Sequence, residues 1–184
     1  MSEIKTFPGA PDTGSRPALE SACYDFLDKL GVEYLRADHD ALFTMEALAP
    51  VEAVLNCSIA KNLFLTNRQQ TEFYLLLMPG DKPFKTKYLS AQLGCSRLSF
   101  GSEEQLIEHI GTSHGSASVL GLLNDKAGTV HLVADRDLQQ SEWFACHPCR
   151  NTSTLRFPFA DLVEKVIPAL GYEAVWVDLP REID

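Results

Sequence analysis

Asn62-Leu63-Phe64-Leu65-Thr66 and Glu72-Phe73-Tyr74-Leu75-Leu76-Leu77-Met78 are two apolar runs with the polar stretch Asn67–Thr71 between them. Two such runs joined by a short polar segment predict a β-hairpin. Pro79-Gly80-Asp81 follows with turn chemistry. Working outward, Ala18–Leu30 places Leu19, Ala22, Cys23, Phe26, Leu27 and Leu30 on one helical face, and Gly31 stops the helix. Val32–Arg36 is a strand candidate. Thr44 is placed to cap a helix over Met45–Val54 that Pro50 ends or bends. Lys85–Leu93 reads as a helix closed by Gly94, and Arg97–Phe100 as a strand. Ser102 with Gln105 three residues on is a capping box for a helix over Glu103–Ile110, which Gly111 ends.

In the second half, Val119–Leu123, Thr129–Ala134, Trp143–His147, Thr152–Phe157 and Ala174–Leu179 read as strands, and Phe159–Leu170 as a helix with a late Pro168. Helices and strands interleave without a clean βαβ repeat, which predicts an α+β domain on a mixed sheet. Residues 1–17 are rich in Pro, Gly and Ser and read as an N-terminal extension, a loose arm or extended lead-in; residues 18–184 form the domain.

The chain has 184 residues, which suits one domain with a sizeable core. Apolar residues make up 45% and charged residues 22%, both ordinary for a globular protein. No apolar run approaches the roughly 20 residues that span a bilayer, and the first residues carry no apolar signal segment. The expected compartment is the cytoplasm, where the five cysteines are free thiols. The formal net charge of −9 argues against a general nucleic-acid binder. Only a local basic patch, or contact with little more than the end of a nucleic acid, meets that objection.

Three stretches could carry chemistry. Lys61 heads an apolar strand and shares a face with Leu63 and Leu65. It either snorkels to water at the strand end or acts as a cationic anchor at a pocket mouth. Gly115-Ser116-Ala117-Ser118 is a small-residue segment that is either a plain loop into a strand or a backbone N–H nest for an anion. Cys146-His147-Pro148-Cys149 offers at most three closely spaced zinc ligands with no second cysteine pair, and lacks the βαβ context of a redox motif. A Cys-His nucleophile pair is awkward for sequence neighbours whose side chains diverge on a strand, so a packed, neutral strand-end histidine remains. His39, His109, His114 and His131 read as surface or core residues. No Ser-His-Asp order, phosphate-binding loop or dinucleotide fingerprint is present.

Five blocks in order carry a resemblance. They are His39-Asp40-Ala41-Leu42-Phe43-Thr44; Lys61-Asn62-Leu63-Phe64-Leu65; Arg97-Leu98-Ser99-Phe100; Gly115-Ser116-Ala117-Ser118 with Gly121-Leu122-Leu123-Asn124-Asp125; and His147-Pro148 with Asn151-Thr152. In these the chain resembles the YbaK/prolyl-tRNA editing superfamily from about Ala18 to Asp178, and most resembles its stand-alone branch that deacylates alanyl-tRNA(Pro). The cysteine-specific branch has proline at the fifth position of the glycine loop, where this chain has Val119.

The resemblance implies a mixed, bent β-sheet surrounded by helices and a hydrolase that removes a wrongly attached amino acid from tRNA(Pro). It implies catalytic roles for Lys61, as holder of a phosphate or of the substrate near the ester, and for Gly115, Ser116 and Ala117, as the loop facing the ester carbonyl. Substrate-binding roles fall on Asn62, Ser118, Val119, His147, Phe43 and Thr44. No metal and no cofactor is expected. The expected partner is the 3′ aminoacyl end of a mischarged tRNA, with prolyl-tRNA synthetase or an elongation factor as transient partners and no membrane. An aminoacyl ester is already activated, so positioned water or the substrate's own ribose hydroxyl suffices without a protein nucleophile. Rival readings are cysteinyl-tRNA(Pro) as substrate, a non-catalytic tRNA-binding or regulatory module, and a Cys-His hydrolase.

Overall fold

The computed structural model describes residues 3–12 and 14–184. Met1, Ser2 and Thr13, all within the stretch read as an N-terminal extension, lie outside the described residues. The hairpin forms where its two runs place it: β3 (Lys61–Thr66) and β4 (Phe73–Met78) pair antiparallel, from Lys61↔Met78 to Thr66↔Phe73. Asn67 closes the turn, its Oδ1 accepting from the N–H groups of Thr71 (2.9 Å) and Glu72 (3.1 Å). Every residue of β4 is buried. Leu75 and Leu77 enter one core, while Tyr74, Leu76 and Met78 enter another. A strand covered on both faces needs no polar alternation, which accounts for the unbroken apolar run.

Before the hairpin come β1 (Lys5–Pro8), α1 (Ala18–Lys29), β2 (Leu35–Asp38) and α2 (Ala49–Leu55). After it come α3 (Thr86–Leu93), β5 (Ser99–Phe100), α4 (Glu103–Ile110), β6 (Val130–Asp135), β7 (Trp143–Cys146), β8 (Ser153–Pro158), α5 (Phe159–Asp161), α6 (Ile167–Leu170) and β9 (Val175–Val177). The strands form a four-stranded antiparallel sheet, β1-β2-β8-β7, and a five-stranded mixed sheet, β5-β3-β4-β6-β9. In the mixed sheet β4–β6 and β6–β9 are parallel. The chain is thus a single α+β domain, and its bend is the junction of two sheets, where the Ala60 N–H donates to the Ala145 carbonyl at 3.0 Å. The main core lies between this pair of sheets and α1 and α4.

Several elements differ from the sequence reading. The strand expected over Val32–Arg36 lies three residues later, at Leu35–Asp38. The helix expected over Met45–Val54 is a 3-10 turn, Glu46–Leu48, followed by α2. Pro50 sits in the first turn of α2 and opens that helix, where its missing N–H costs nothing. Thr44 Oγ1 accepts from the Ala47 N–H at 3.2 Å. The strand expected over Arg97–Phe100 shrinks to two residues, because only Ser99 and Phe100 pair with a neighbour, opposite Thr66 and Leu65 of β3. The strand expected over Val119–Leu123 is a 3-10 helix, Val119–Asn124, started by Ser118 Oγ accepting from the Leu120 N–H. A short buried apolar run does not by itself distinguish the two. Between α5 and α6 the helix makes a π turn, Leu162–Val166, just before Pro168. Proline lacks the N–H that the fourth residue back would bond, and the π turn absorbs the misfit. The capping box of Ser102 and Gln105 is fully made.

Candidate active site

A cavity of about 390 Å³ opens beside the first residues of β3. Lys61 to Phe64 form one wall, Leu42 to Met45 another, and Gly115, Ala117 and His147 close it. Seven of the residues singled out from sequence therefore face one space: Lys61, Asn62, Phe43, Thr44, Gly115, Ala117 and His147. Ser116, Ser118 and Val119 do not line it; all three are buried behind the glycine loop. Much of the remaining wall is apolar, with Leu42 from the first motif block and with Leu48, Ile59 and Leu106, which carried no signal in the sequence beyond hydrophobicity.

Lys61 occupies the last rung of the hairpin, opposite Met78, so its side chain lies next to the Pro79-Gly80-Asp81 turn. Its Nζ donates to the Lys82 carbonyl at 2.5 Å. Burial draws its pKa below the usual lysine value, opposed by the carboxylates of Asp81 and Glu46. The turn itself is pinned. Lys82 is 1% exposed, and its Nζ pairs with Asp135 at 2.7 Å and Asp137 at 3.0 Å at the end of β6. Asp137 is held below the usual carboxylate range mainly by the Lys82 hydrogen bond, and it also meets Arg181 at 2.9 Å. Gly80 is required by close approach, since a Cβ there would lie 2.2 Å from the Ile59 carbonyl oxygen. None of Lys82, Asp135 and Asp137 was marked by sequence, because a lysine after a turn and aspartates after a strand read as surface.

Asn62 fastens the glycine loop to the hairpin. Its Oδ1 accepts from the Val119 N–H at 2.9 Å, and its Nδ2 donates to the Ala60 carbonyl at 3.2 Å. Gly115 has φ +81°, and a Cβ there would press on the Phe43 ring at 3.0 Å. The N–H groups of Gly115 and Ala117 make no hydrogen bond among the described residues, whereas that of Ser116 bonds the Ser113 carbonyl at 3.1 Å. Phe43 stands over the mouth, 73% exposed.

His147 follows β7 and is 8% exposed. Its Nδ1 lies 2.8 Å from the Ser153 carbonyl and 3.2 Å from Thr154 Oγ1. A carbonyl can only accept, so Nδ1 carries the proton and Nε2 is left as an acceptor. Burial pushes the ring's pKa down to about 4, with His39 acting in the same direction and the Ser153 bond opposing. Ser153 is itself fixed, its hydroxyl donating to Asp38 at 2.7 Å. The ring is therefore neutral at pH 7. Because the folded-state pKa lies below the ordinary 6.5, the unfolded chain binds the extra proton first. The neutral ring's contribution to stability is full above about pH 6.5 and is lost as pH falls through about 4, a swing of about 3 kcal/mol. His147→Gln, followed by chemical denaturation from pH 7.5 to 4, is expected to flatten this part of the profile; an unchanged slope counts against it.

The thiols are poor nucleophiles. Burial lifts Cys146 to about 12, and Cys149, in contact with Cys23 at 3.5 Å, is raised well above the ordinary thiol value by that contact and by burial. Both are protonated at neutral pH.

Compared with known proteins, the fold resembles a crystal structure of a candidate trans-editing enzyme for prolyl tRNA synthetase, with a TM-score of 0.67 over 90% of this chain and all of that one, at 14% identity. Residues 39–165 match the aminoacyl-tRNA editing domain, and the chain belongs to that family. Among its relatives is the prolyl-tRNA editing protein ProX of Acetoanaerobium sticklandii, 32% identical over 79% of this chain and 88% of the relative. Another is the prolyl-tRNA synthetase associated domain-containing protein 1 of Danio rerio, 31% identical over 76% of each chain. Among the described residues no helix is long and apolar enough to cross a membrane.

Proposed function

We propose that the chain is an aminoacyl-tRNA deacylase that edits mischarged tRNA(Pro) in the cytoplasm, with alanine as the amino acid removed. The observation that carries this reading is the placement of a lysine, free loop N–H groups and a neutral histidine around one largely apolar cavity. Family membership and the prolyl-tRNA editing relative support it.

In this reading Lys61 is a mobile point charge that holds the phosphate of the terminal nucleotide or the substrate beside the ester. The free N–H groups of Gly115 and Ala117 stabilise the oxyanion that develops on the ester carbonyl. Ser116, Ser118 and Val119 support that loop from behind, and Asn62 positions it through Val119. Phe43 and Thr44 bound the mouth. The attacking oxygen comes from water or the free ribose hydroxyl, which suits a cavity whose lining residues include no cysteine and whose histidine is neutral. A synthetase for proline cannot reject the smaller alanine by binding alone, because missing methylenes are worth about 1–3 kcal/mol. A second site that admits alanine and excludes proline by volume solves this.

Turnover of alanyl-, cysteinyl- and prolyl-tRNA(Pro) tests the proposal. Alanyl ester should be cleaved fastest and prolyl ester spared. Prolyl-tRNA cleaved as fast as alanyl-tRNA ends the editing reading, and preference for cysteinyl-tRNA moves it to the cysteine branch. His147 is the side chain proposed to narrow the pocket. His147→Ala is expected to admit larger aminoacyl groups, raising prolyl relative to alanyl deacylation by roughly tenfold, the scale of overpacking relieved. An unchanged ratio removes His147 as the wall.

A further inference from the structure

The chain carries a net charge of −9, yet the surface beside the candidate active site is basic. A second cavity, of about 650 Å³, is lined by Arg68, Lys85, Lys87 and Arg97, with Phe84 and Phe100, and no carboxylate is among its lining residues. The four cations come from separate parts of the chain: the hairpin turn, the start of α3 and the segment entering β5. All four are exposed. Among the described residues Arg68, Lys85 and Arg97 make no ion pair, and Lys87 meets only Asp184, at 3.9 Å, whose side chain is 97% exposed. Among the described residues these four like charges have one loose counter-ion between them, so they repel one another, and an acidic protein keeps them together at a cost that a polyanion in the groove would offset.

Phe100 joins the two cavities, since it lines both. It is 60% exposed, with Phe84 edge-on at a centroid distance of 6.1 Å. An exposed aromatic face beside a cationic groove is the chemistry that holds single-stranded nucleic acid, with bases on the ring and phosphates on the cations.

We infer that this groove holds the sugar-phosphate backbone of the acceptor end of the tRNA, so that the 3′ strand crosses Phe100 into the candidate active site. The inference rests on the deacylase reading for what enters the pocket, and it supplies the local basic patch that the acidic composition called for. Backbone contacts of this kind are sequence-independent and depend steeply on salt.

The test uses two exposed double variants, Arg68→Ala with Arg97→Ala and Lys85→Ala with Lys87→Ala. Each is assayed on alanyl-tRNA(Pro) and on alanine esterified to a CCA trinucleotide, with binding of uncharged tRNA(Pro) as a third measurement. Each double variant is expected to lose about 10- to 100-fold in kcat/KM on the full tRNA, carried by KM, and to keep wild-type rates on the trinucleotide. The log–log salt dependence of tRNA binding should become shallower by roughly 0.7–0.9 for each phosphate contact removed. Wild-type KM, tRNA affinity and salt slope in both variants overturn the groove. Equal losses on both substrates also overturn it, since the cations then act on the pocket rather than on the stem. If wild type cleaves neither ester, the deacylase reading fails, while the binding measurement still decides whether the groove takes the tRNA backbone.

Discussion

Lys61→Ala is expected to lower deacylation of alanyl-tRNA(Pro) by at least about 100-fold, the scale of removing one preorganised charge from a reacting site. The fold should survive. Lys61 is only half-buried, and its Nζ has one hydrogen-bond partner among the described residues, the Lys82 carbonyl. That carbonyl can take a water in its place. The loss should fall mainly in kcat if the ammonium acts beside the ester, and mainly in KM if it acts only on a phosphate. Deacylation rates set against a thermal melt make the measurement. A folded variant with near-normal turnover would falsify the role given to Lys61, and would leave a binding module of the same fold as the better reading.

A larger effect on stability is expected from Lys82→Met. The substitution keeps the stem's volume but removes the charge that faces Asp135, whose side chain is fully buried. Breaking a buried pair from one side leaves an uncompensated charge and costs about 3–5 kcal/mol. For a chain of this size that corresponds to a fall in Tm of roughly 6–20 °C. Neutralising both partners, Lys82→Met with Asp135→Asn, should recover part of the loss, because no charge is then left buried and the Asn side-chain oxygen still accepts from the Asp137 N–H. Asp137 and Arg181 still pair with each other in that double variant at the surface. A single variant that melts within a degree or two of wild type would mean that water reaches Asp135 and that the turn is not pinned as described. The pair also matters for the site, because the carbonyl that holds Lys61 belongs to Lys82 itself.

What the sequence determined was local. Ser102 with Gln105, Gly94 and Gly111 mark helix ends by interactions within a few residues, and they stand where the sequence puts them. The hairpin is equally local, since five residues separate its two runs. The interleaving of these elements was enough for the α+β class, and ordered motif blocks were enough to name candidate residues from Phe43 to His147. Only the tertiary structure decided what those residues face. Hydrophobic periodicity reports that a side is covered, not what covers it, so Val119–Asn124 could be read as a strand until its 3-10 turn was seen between Ser118 and Asp125. The parallel pairing of β4 with β6 and β6 with β9 joins segments far apart in the chain and leaves no local mark. Charge is subject to the same limit. A buried Lys82 looks like any surface lysine in sequence, and Arg68, Lys85, Lys87 and Arg97 become one cationic groove only when a turn, a helix start and a strand entry are folded together beside Phe100.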